Sequence, residues 1–240
     1  MIIYSETVER IILKIKKLLF GENFFLKSYS QEGEDMLINR IFSNKKKGFY
    51  IDIGAHHPKR FSNTYYFYKH GWTGINIDAM PGSMKVFNKI RSRDINLEIA
   101  VMGAPATALY YQFNDAALNG FSESLSHARD GLRDYVIERK VKIQGLPLGE
   151  ILKISMPVNV PIDFMSIDVE GLDFEVLRSN NWILYRPKLV LIEMLVSTLE
   201  SILDHEIYLY MKSHGYQLYA KTLNTVFFIE NNYLTTEIGH

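Results

Sequence analysis

The stretch Gly48-Phe49-Tyr50-Ile51-Asp52-Ile53-Gly54-Ala55-His56-His57-Pro58 limits the fold more than any other part of this chain. Three apolar residues in four lead into Asp52, and a glycine-bearing turn follows. A short apolar run bounded by glycine reads as a buried strand. An acid and a glycine at its end point to a nucleotide-type cofactor held in a strand-to-helix crevice. The next apolar run, Gly74-Ile75-Asn76-Ile77-Asp78, also ends in a carboxylate, 26 residues after Asp52. That repetition turns a weak local motif into a cofactor-site hypothesis.

From Phe49 onward strand-like and helix-like patterns alternate. Strands are expected at Phe49–Ile53, Gly74–Asp78, Ile95–Val101, Phe164–Asp168 and Leu189–Glu193. Helices are expected at Gln31–Phe42, Ser62–Lys69, Gly82–Ile90, Phe174–Ser179 and Leu199–Ser213. Alternation of this kind predicts an α/β fold, a mostly parallel sheet with helices on both faces. Tyr216–Lys221 and Thr225–Glu230 read as a closing antiparallel hairpin. The stretch 110–161 breaks the rhythm and reads as an insertion, a lid or substrate-binding loop.

Lysine plus arginine equals aspartate plus glutamate, 27 each, so no global field draws the chain to nucleic acid. With no cysteine, disulfides, thiolate nucleophiles and cysteine-ligated zinc are excluded. A reducing cytoplasm is compatible with that composition. No run approaches the ~18 apolar residues of a membrane span, and Glu6, Glu9, Arg10, Lys14, Lys16 and Lys17 interrupt any signal-peptide core. Val8, Ile11, Ile12, Ile15, Leu18 and Leu19 recur at helical spacing within residues 1–20. Such a basic amphipathic helix packs on its own domain, on a second subunit, or on an anionic membrane surface. Residues 1–47 are therefore read as N-terminal helices over the core or an interface, and 48–240 as the main domain.

Four expected strands end in acids at one sheet edge: Asp52, Asp78, Asp168 and Glu193, with Glu170 two residues beyond Asp168. Taken singly, each is an ordinary helix cap or surface acid. Together they require a ligand or cation to offset their repulsion. Asp78 sits near the offset of a ribose-binding acid. Yet Ala55, His56, His57 and Pro58 follow Gly54 where a dinucleotide fingerprint needs further glycines. A phosphate-free cofactor is favoured over NAD or FAD, and S-adenosylmethionine fits. Asp52 and Gly54 would face its tail or sulfonium, Asp78 its ribose, and Glu98, Ile99 and Ala100 its adenine.

The segments Ser30-Gln31-Glu32-Gly33-Glu34-Asp35, Gly48 to Pro58, Ser62-Asn63-Thr64, Gly71 to Pro81, Ser166-Ile167-Asp168-Val169-Glu170-Gly171 and Asn224-Thr225-Val226-Phe227 occur in order. In this the chain resembles the FkbM family of S-adenosylmethionine-dependent methyltransferases. The resemblance implies a Rossmann-like class I methyltransferase core and O-methyl transfer to sugars of surface glycans or secondary metabolites. A sugar or nucleotide-sugar is the expected acceptor. It also implies that Ala55, Asn63 and Ala79 lie near the cofactor and that the segment of Gln31 and Asp35 folds over it. Helix capping is the equal alternative for that segment.

A sugar hydroxyl must lose its proton during attack, so a general base or a metal is expected. Asp168 and Glu193 end adjacent strands and are candidate ligands for a hard cation such as magnesium, with Glu170 as third ligand or hydrogen-bonding partner. The metal-free alternative makes Asp168, His56 or His57 the base, with His127 a further candidate. Rival readings are a non-catalytic partner subunit of the same fold and an NAD-type oxidoreductase.

Overall fold

The computed structural model describes residues 8, 10–12, 14–15, 26–196 and 198–238. Seven strands form the main sheet: β1 (Phe49–Ile53), β2 (Thr73–Asp78), β3 (Ile95–Glu98), β7 (Phe164–Ile167), β8 (Leu189–Glu193), β9 (Tyr216–Lys221) and β10 (Thr225–Glu230). Their spatial order is β3-β2-β1-β7-β8-β10-β9. The β3-β2-β1-β7-β8 part is parallel, and β10 and β9 close it antiparallel. The chain moves outward from β1 to β3 and then returns to the other side of β1 as β7. The order therefore reverses between β1 and β7, where ligands bind in open α/β sheets.

Alternation along the strands divides the interior in two. Phe49, Ile51, Ile53, Ile75, Ile77, Met165, Ile167, Val190 and Ile192 point into the larger core. That core is covered by α5 (Leu148–Ser155), α6 (Asp173–Ser179) and α8 (Glu206–Ser213). Tyr50, Phe164, Leu189, Leu191 and Phe227 point the other way, onto Ile38 of α1 (Glu34–Ile41) and Phe67 of α2 (Tyr65–Lys69). Toward the carboxyl ends this second face turns polar. Asp52, Asn76, Asp78, Ser166, Asp168, Glu193 and Thr225 all lie on it by strand parity, Asp52 opposite Asn76 and Ser166.

Part of that polarity is sealed. Arg91, which caps α3 (Ser83–Ile90), is fully buried. It donates to Tyr50 Oη (2.7 Å), Asp94 Oδ2 (2.8 Å), Thr64 Oγ1 (3.1 Å), Asn76 Oδ1 (3.2 Å) and the Pro58 carbonyl (3.3 Å). Asp94 also accepts from Tyr50, Gly74 N and Asn76. Thr64 in turn donates to Asp52 at 2.7 Å. Each guanidinium nitrogen has an acceptor, which is how a buried charge is tolerated.

Several boundaries differ from the sequence expectation. The run Ile95–Val101 is two strands. After Glu98 the chain leaves the main sheet, and β4 (Ala100–Val101) joins β5 (Ala106–Phe113) and β6 (Ile137–Leu146) in a second sheet of order β4-β6-β5. The switch is fixed where Ile99 N donates to the Asp78 carbonyl. The expected helix Leu199–Ser213 is also two, α7 (Glu200–Leu203) and α8, because His205 Nδ1 accepts from Ile207 N and starts a new helix. α1 begins at Glu34 because Gly33, at φ 89°, ends the preceding turn.

Within 110–161, a 3-10 turn at Ala116–Leu118 and α4 (Glu123–Arg129) lie between β5 and β6. From Leu148 onward the stretch is the crossover to β7, since Leu148, Ile151 and Leu152 are buried in the main core. The N-terminal helix expected over residues 1–20 falls largely outside the described residues. Val8, Arg10, Ile11, Ile12, Lys14 and Ile15 are helical. Among the described residues no helix is long and apolar enough to cross a membrane.

Candidate active site

The cleft opens where β1 and β7 end side by side. Asp168 N donates to the Ile53 carbonyl at 3.0 Å, and the turn after β1 passes directly against the chain after β7. Gly54 makes that passage possible. Its φ is 78°, and a Cβ on it would lie 1.7 Å from the Asp168 carbonyl oxygen. No other residue fits both the conformation and the space.

Asp78, at the end of β2, lines the cavity beside Ala79. His56 N donates to its Oδ2 and Met80 N to its Oδ1, both at 2.8 Å. These bonds aim the carboxylate and leave a lone pair on each oxygen for a ligand. Burial raises its pKa, against the pull of the two amides. Ile53, Ile77, Ile99 and Val101 supply an apolar wall next to it. Tyr110, Asn119 and Phe121, from the excursion through β5, close the cavity opposite, with the Tyr110 and Phe121 rings 4.8 Å apart. Among the described lining residues there is no lysine or arginine, whereas Asp78, Asp168 and Glu170 are all acids.

The other end of the cleft is a carboxylate pair. Ile167 of β7 is level with Ile192 of β8, so Asp168 and Glu193 stand opposite each other on neighbouring parallel strands. Asp168 is reached by solvent through the cavity, although protein atoms crowd closely around it. That crowding, then the charges of Glu193, Asp173 and Glu170, hold its carboxyl well above the usual range. Burial, with Glu170 and Asp173, pushes Glu193 up to about 7, against a smaller opposing pull from Arg129.

Glu170 has φ 54° and accepts a charged hydrogen bond from Arg129 of α4 at 2.8 Å. Gly120 and Gly171 complete this junction. A Cβ on Gly120 would lie 3.3 Å from Glu170 Cβ, and one on Gly171 3.0 Å from Leu125 Cδ1. The excursion is thus pinned onto the loop after β7.

The expected metal set does not form. Among the described residues no three histidine, aspartate or glutamate side chains are grouped to hold an ion. Glu170, the expected third ligand, is engaged by Arg129.

The FkbM methyltransferase domain model matches residues 52–218. The chain belongs to the FkbM methyltransferase family. No curated protein matches it. A solved structure of a candidate RNA methyltransferase from Pyrococcus horikoshii aligns over 90% of this chain and 98% of its own, at 10% identity and TM-score 0.43. A precorrin-6y C5,15-methyltransferase from Geobacter metallireducens aligns over 88% and 93%, at 12% identity and TM-score 0.36.

For an FkbM methyltransferase the implied cofactor is S-adenosylmethionine, and the cavity suits it. An apolar wall faces a base, an aimed acid faces a ribose, and acids without basic partners suit a cation that carries no phosphate. Of the residues expected from sequence, Gln31, Gly54, His56, Asp78, Ala79, Asp168 and Glu170 line the cavity of this FkbM protein. Burial lowers the His56 pKa, against the pull of Asp78.

Other expected residues lie behind the lining. Asp35 is fully buried and accepts from Ser28 Oγ, Tyr29 N and Ser30 Oγ, which folds the Gln31 segment into place. Asp52 is held by Thr64, and burial raises its pKa to about 6. Ala55 packs with Met84 and Phe87, and Asn63 donates to Ser166 Oγ at 3.0 Å. His57 Nδ1 accepts from Lys59 N and Arg60 N and so shapes the turn. His127 is exposed on α4, 3.7 Å from Glu123. Of Glu98, Ile99 and Ala100, only Ile99 reaches the cavity, joined by Val101; Glu98 is exposed and Ala100 fully buried. The strand break at Ile99 turns these two inward.

Phe61, Tyr110, Asn119 and Phe121 carry no motif that sequence reasoning could have used. Phe61 has φ 56°, and together with His56 and Glu170 it makes three non-glycine residues with left-handed backbone along one cavity. Strain of this kind concentrates where a ligand is handled.

Proposed function

We propose that this protein transfers a methyl group from S-adenosylmethionine to a hydroxyl of a sugar or nucleotide-sugar, in the assembly of a surface glycan or secondary metabolite. The observation that carries the reading is the Asp168–Glu193 pair, level on adjacent strands, of which Asp168 lines the cofactor cavity. When bound, the cofactor supplies an electrophilic methyl group on a sulfonium.

The chain's own residues do the rest. Asp78 takes the ribose hydroxyls, and Ile77, Ile99 and Val101 shelter the adenine. Asp168 accepts the proton of the attacking hydroxyl. A carboxylate with a raised pKa is a better base for that weak acid than an ordinary one. Glu193 shares the proton, so the two titrate as a pair. Holding the acceptor oxygen in line with the methyl group supplies much of the rate. The absence of basic side chains among the described lining residues favours a plain sugar over a nucleotide-sugar, and argues against the pyrophosphate of NAD.

Two measurements test this. Calorimetry with S-adenosylhomocysteine is expected to give saturable one-site binding, and no heat at all sinks the cofactor assignment. Release of S-adenosylhomocysteine is then followed on a panel of glycosides, nucleotide-sugars, amines and peptides. Turnover confined to amines or peptides overturns the sugar reading and leaves the cofactor assignment standing.

A further inference from the structure

Val8, Ile11, Ile12 and Ile15 are helical and about half exposed, at 48%, 50%, 47% and 49%. Their spacing places them on one side of a helix. A helix packed on its own domain buries such a stripe, as α1 buries Ile38 and α5 buries Leu148, Ile151 and Leu152. The stripe is therefore completed by something beyond the described residues. Arg10 and Lys14 are exposed on the same segment. At 100° per residue Lys14 flanks the stripe and Arg10 lies further back. In sequence, residues 1–20 carry Arg10, Lys14, Lys16 and Lys17 against Glu6 and Glu9.

A second apolar surface lies at the acceptor end of the cleft. Leu195, Leu199 and Leu223 are 69%, 60% and 76% exposed. Met194 N donates to the Asn224 carbonyl at 2.8 Å, which brings the loop after β8 against the β9–β10 turn. Thr225 pairs with Glu193, so this leucine rim borders the carboxylate pair.

We propose that the segment 8–15 seats the protein on an anionic lipid surface, with the leucine rim as a second lipid-facing patch beside the acceptor opening. An apolar stripe on a helix that carries Arg10 and Lys14 matches the interface of an anionic bilayer, where chains cover the isoleucines and headgroups meet the basic side chains. Each basic residue near an anionic surface contributes roughly fivefold to partitioning.

The test is co-sedimentation of the full chain with phosphatidylcholine vesicles, with and without phosphatidylglycerol. Binding is expected on the anionic vesicles, at least tenfold stronger than on neutral ones and weakened by high salt. The variant I11E/I12E is expected to lose it at least tenfold, R10Q/K14Q about tenfold and L195S/L223S severalfold. S-adenosylhomocysteine affinity, measured on the same samples, should stay within twofold and certifies folding. Equal binding to both vesicle types overturns the proposal, as does undiminished binding by both I11E/I12E and R10Q/K14Q. Absence of vesicle binding, with a dimer that I11E/I12E dissociates in light scattering, assigns the stripe to a second copy instead. None of these readouts depends on knowing the acceptor.

Discussion

Asp52 and Asp168 end neighbouring parallel strands on the same face of the sheet, yet their surroundings are opposite. Asp52 is closed off from solvent, bonded by Thr64 and faced by the Arg91 guanidinium. Asp168 opens to the cavity and is faced by Glu193, Asp173 and Glu170 with no cation among its principal neighbours. Desolvation by surrounding protein atoms raises both carboxyls, but Arg91 pulls Asp52 back while Glu193, Asp173 and Glu170 push Asp168 further. The comparison separates a polar group that holds the fold from one left unsatisfied for a ligand. Unsatisfied like charges at a cleft are costly in the empty protein and become useful when a cation or a proton arrives.

Four outcomes would break or sharpen this contrast. The largest effect is expected at Arg91. Arg91→Met leaves Asp94 buried without its counter-charge and takes a donor from Tyr50, Asn76 and Thr64, and should cost about 3–5 kcal/mol in urea unfolding. A loss under 1 kcal/mol would remove Arg91 from the role of seal. Next, Asp168→Asn should lower turnover on an identified acceptor by roughly 10²–10⁴. Its unfolding midpoint at pH 8 should stay level or rise, because a repelling charge is gone. Instability like that of Arg91→Met would make Asp168 structural and end the contrast.

Asp78→Asn keeps the shape but weakens the charge-assisted bonds to a ribose, so S-adenosylhomocysteine affinity should fall about tenfold. Unchanged affinity in calorimetry would place the ribose elsewhere. The smallest effect is the pH dependence. Glu193 has a folded-state pKa of about 7, above its ordinary value. Its contribution to stability is therefore complete below the ordinary carboxylate range and is lost as pH rises through about 7. Asp52 and Asp173, both raised to about 6, act in the same sense. The cofactor-free protein should melt higher at pH 5 than at pH 8, and Glu193→Gln should flatten part of that slope. A slope unchanged in Glu193→Gln would mean that the pair does not titrate as the geometry requires. Turnover should rise over the same window, as the carboxylate pair loses its shared proton.

Much of this was legible in the residues. The apolar runs ending in Asp52, Asp78, Asp168 and Glu193 located one edge of one sheet, because strand length and burial are local properties of sequence. Gly54 announced a tight passage, and the missing glycines after it spoke against a pyrophosphate. What was not legible came from contacts distant in sequence. Whether an acid faces Arg91 or another acid depends on which loop packs over it. Of the expected Glu98, Ile99 and Ala100, only Ile99 reached the cavity, with Val101 beside it, because a strand left one sheet for another. Phe61, Tyr110 and Phe121 became lining only when two loops met across the β1–β7 opening.

The alternation, the acidic strand ends and the family are all written in short-range pattern and motif. Which acids are sealed and which are open depends on the packing of the folded chain. A carboxylate's charge state is set by the low-dielectric wall and the neighbouring charges that folding places around it, and no local pattern encodes those.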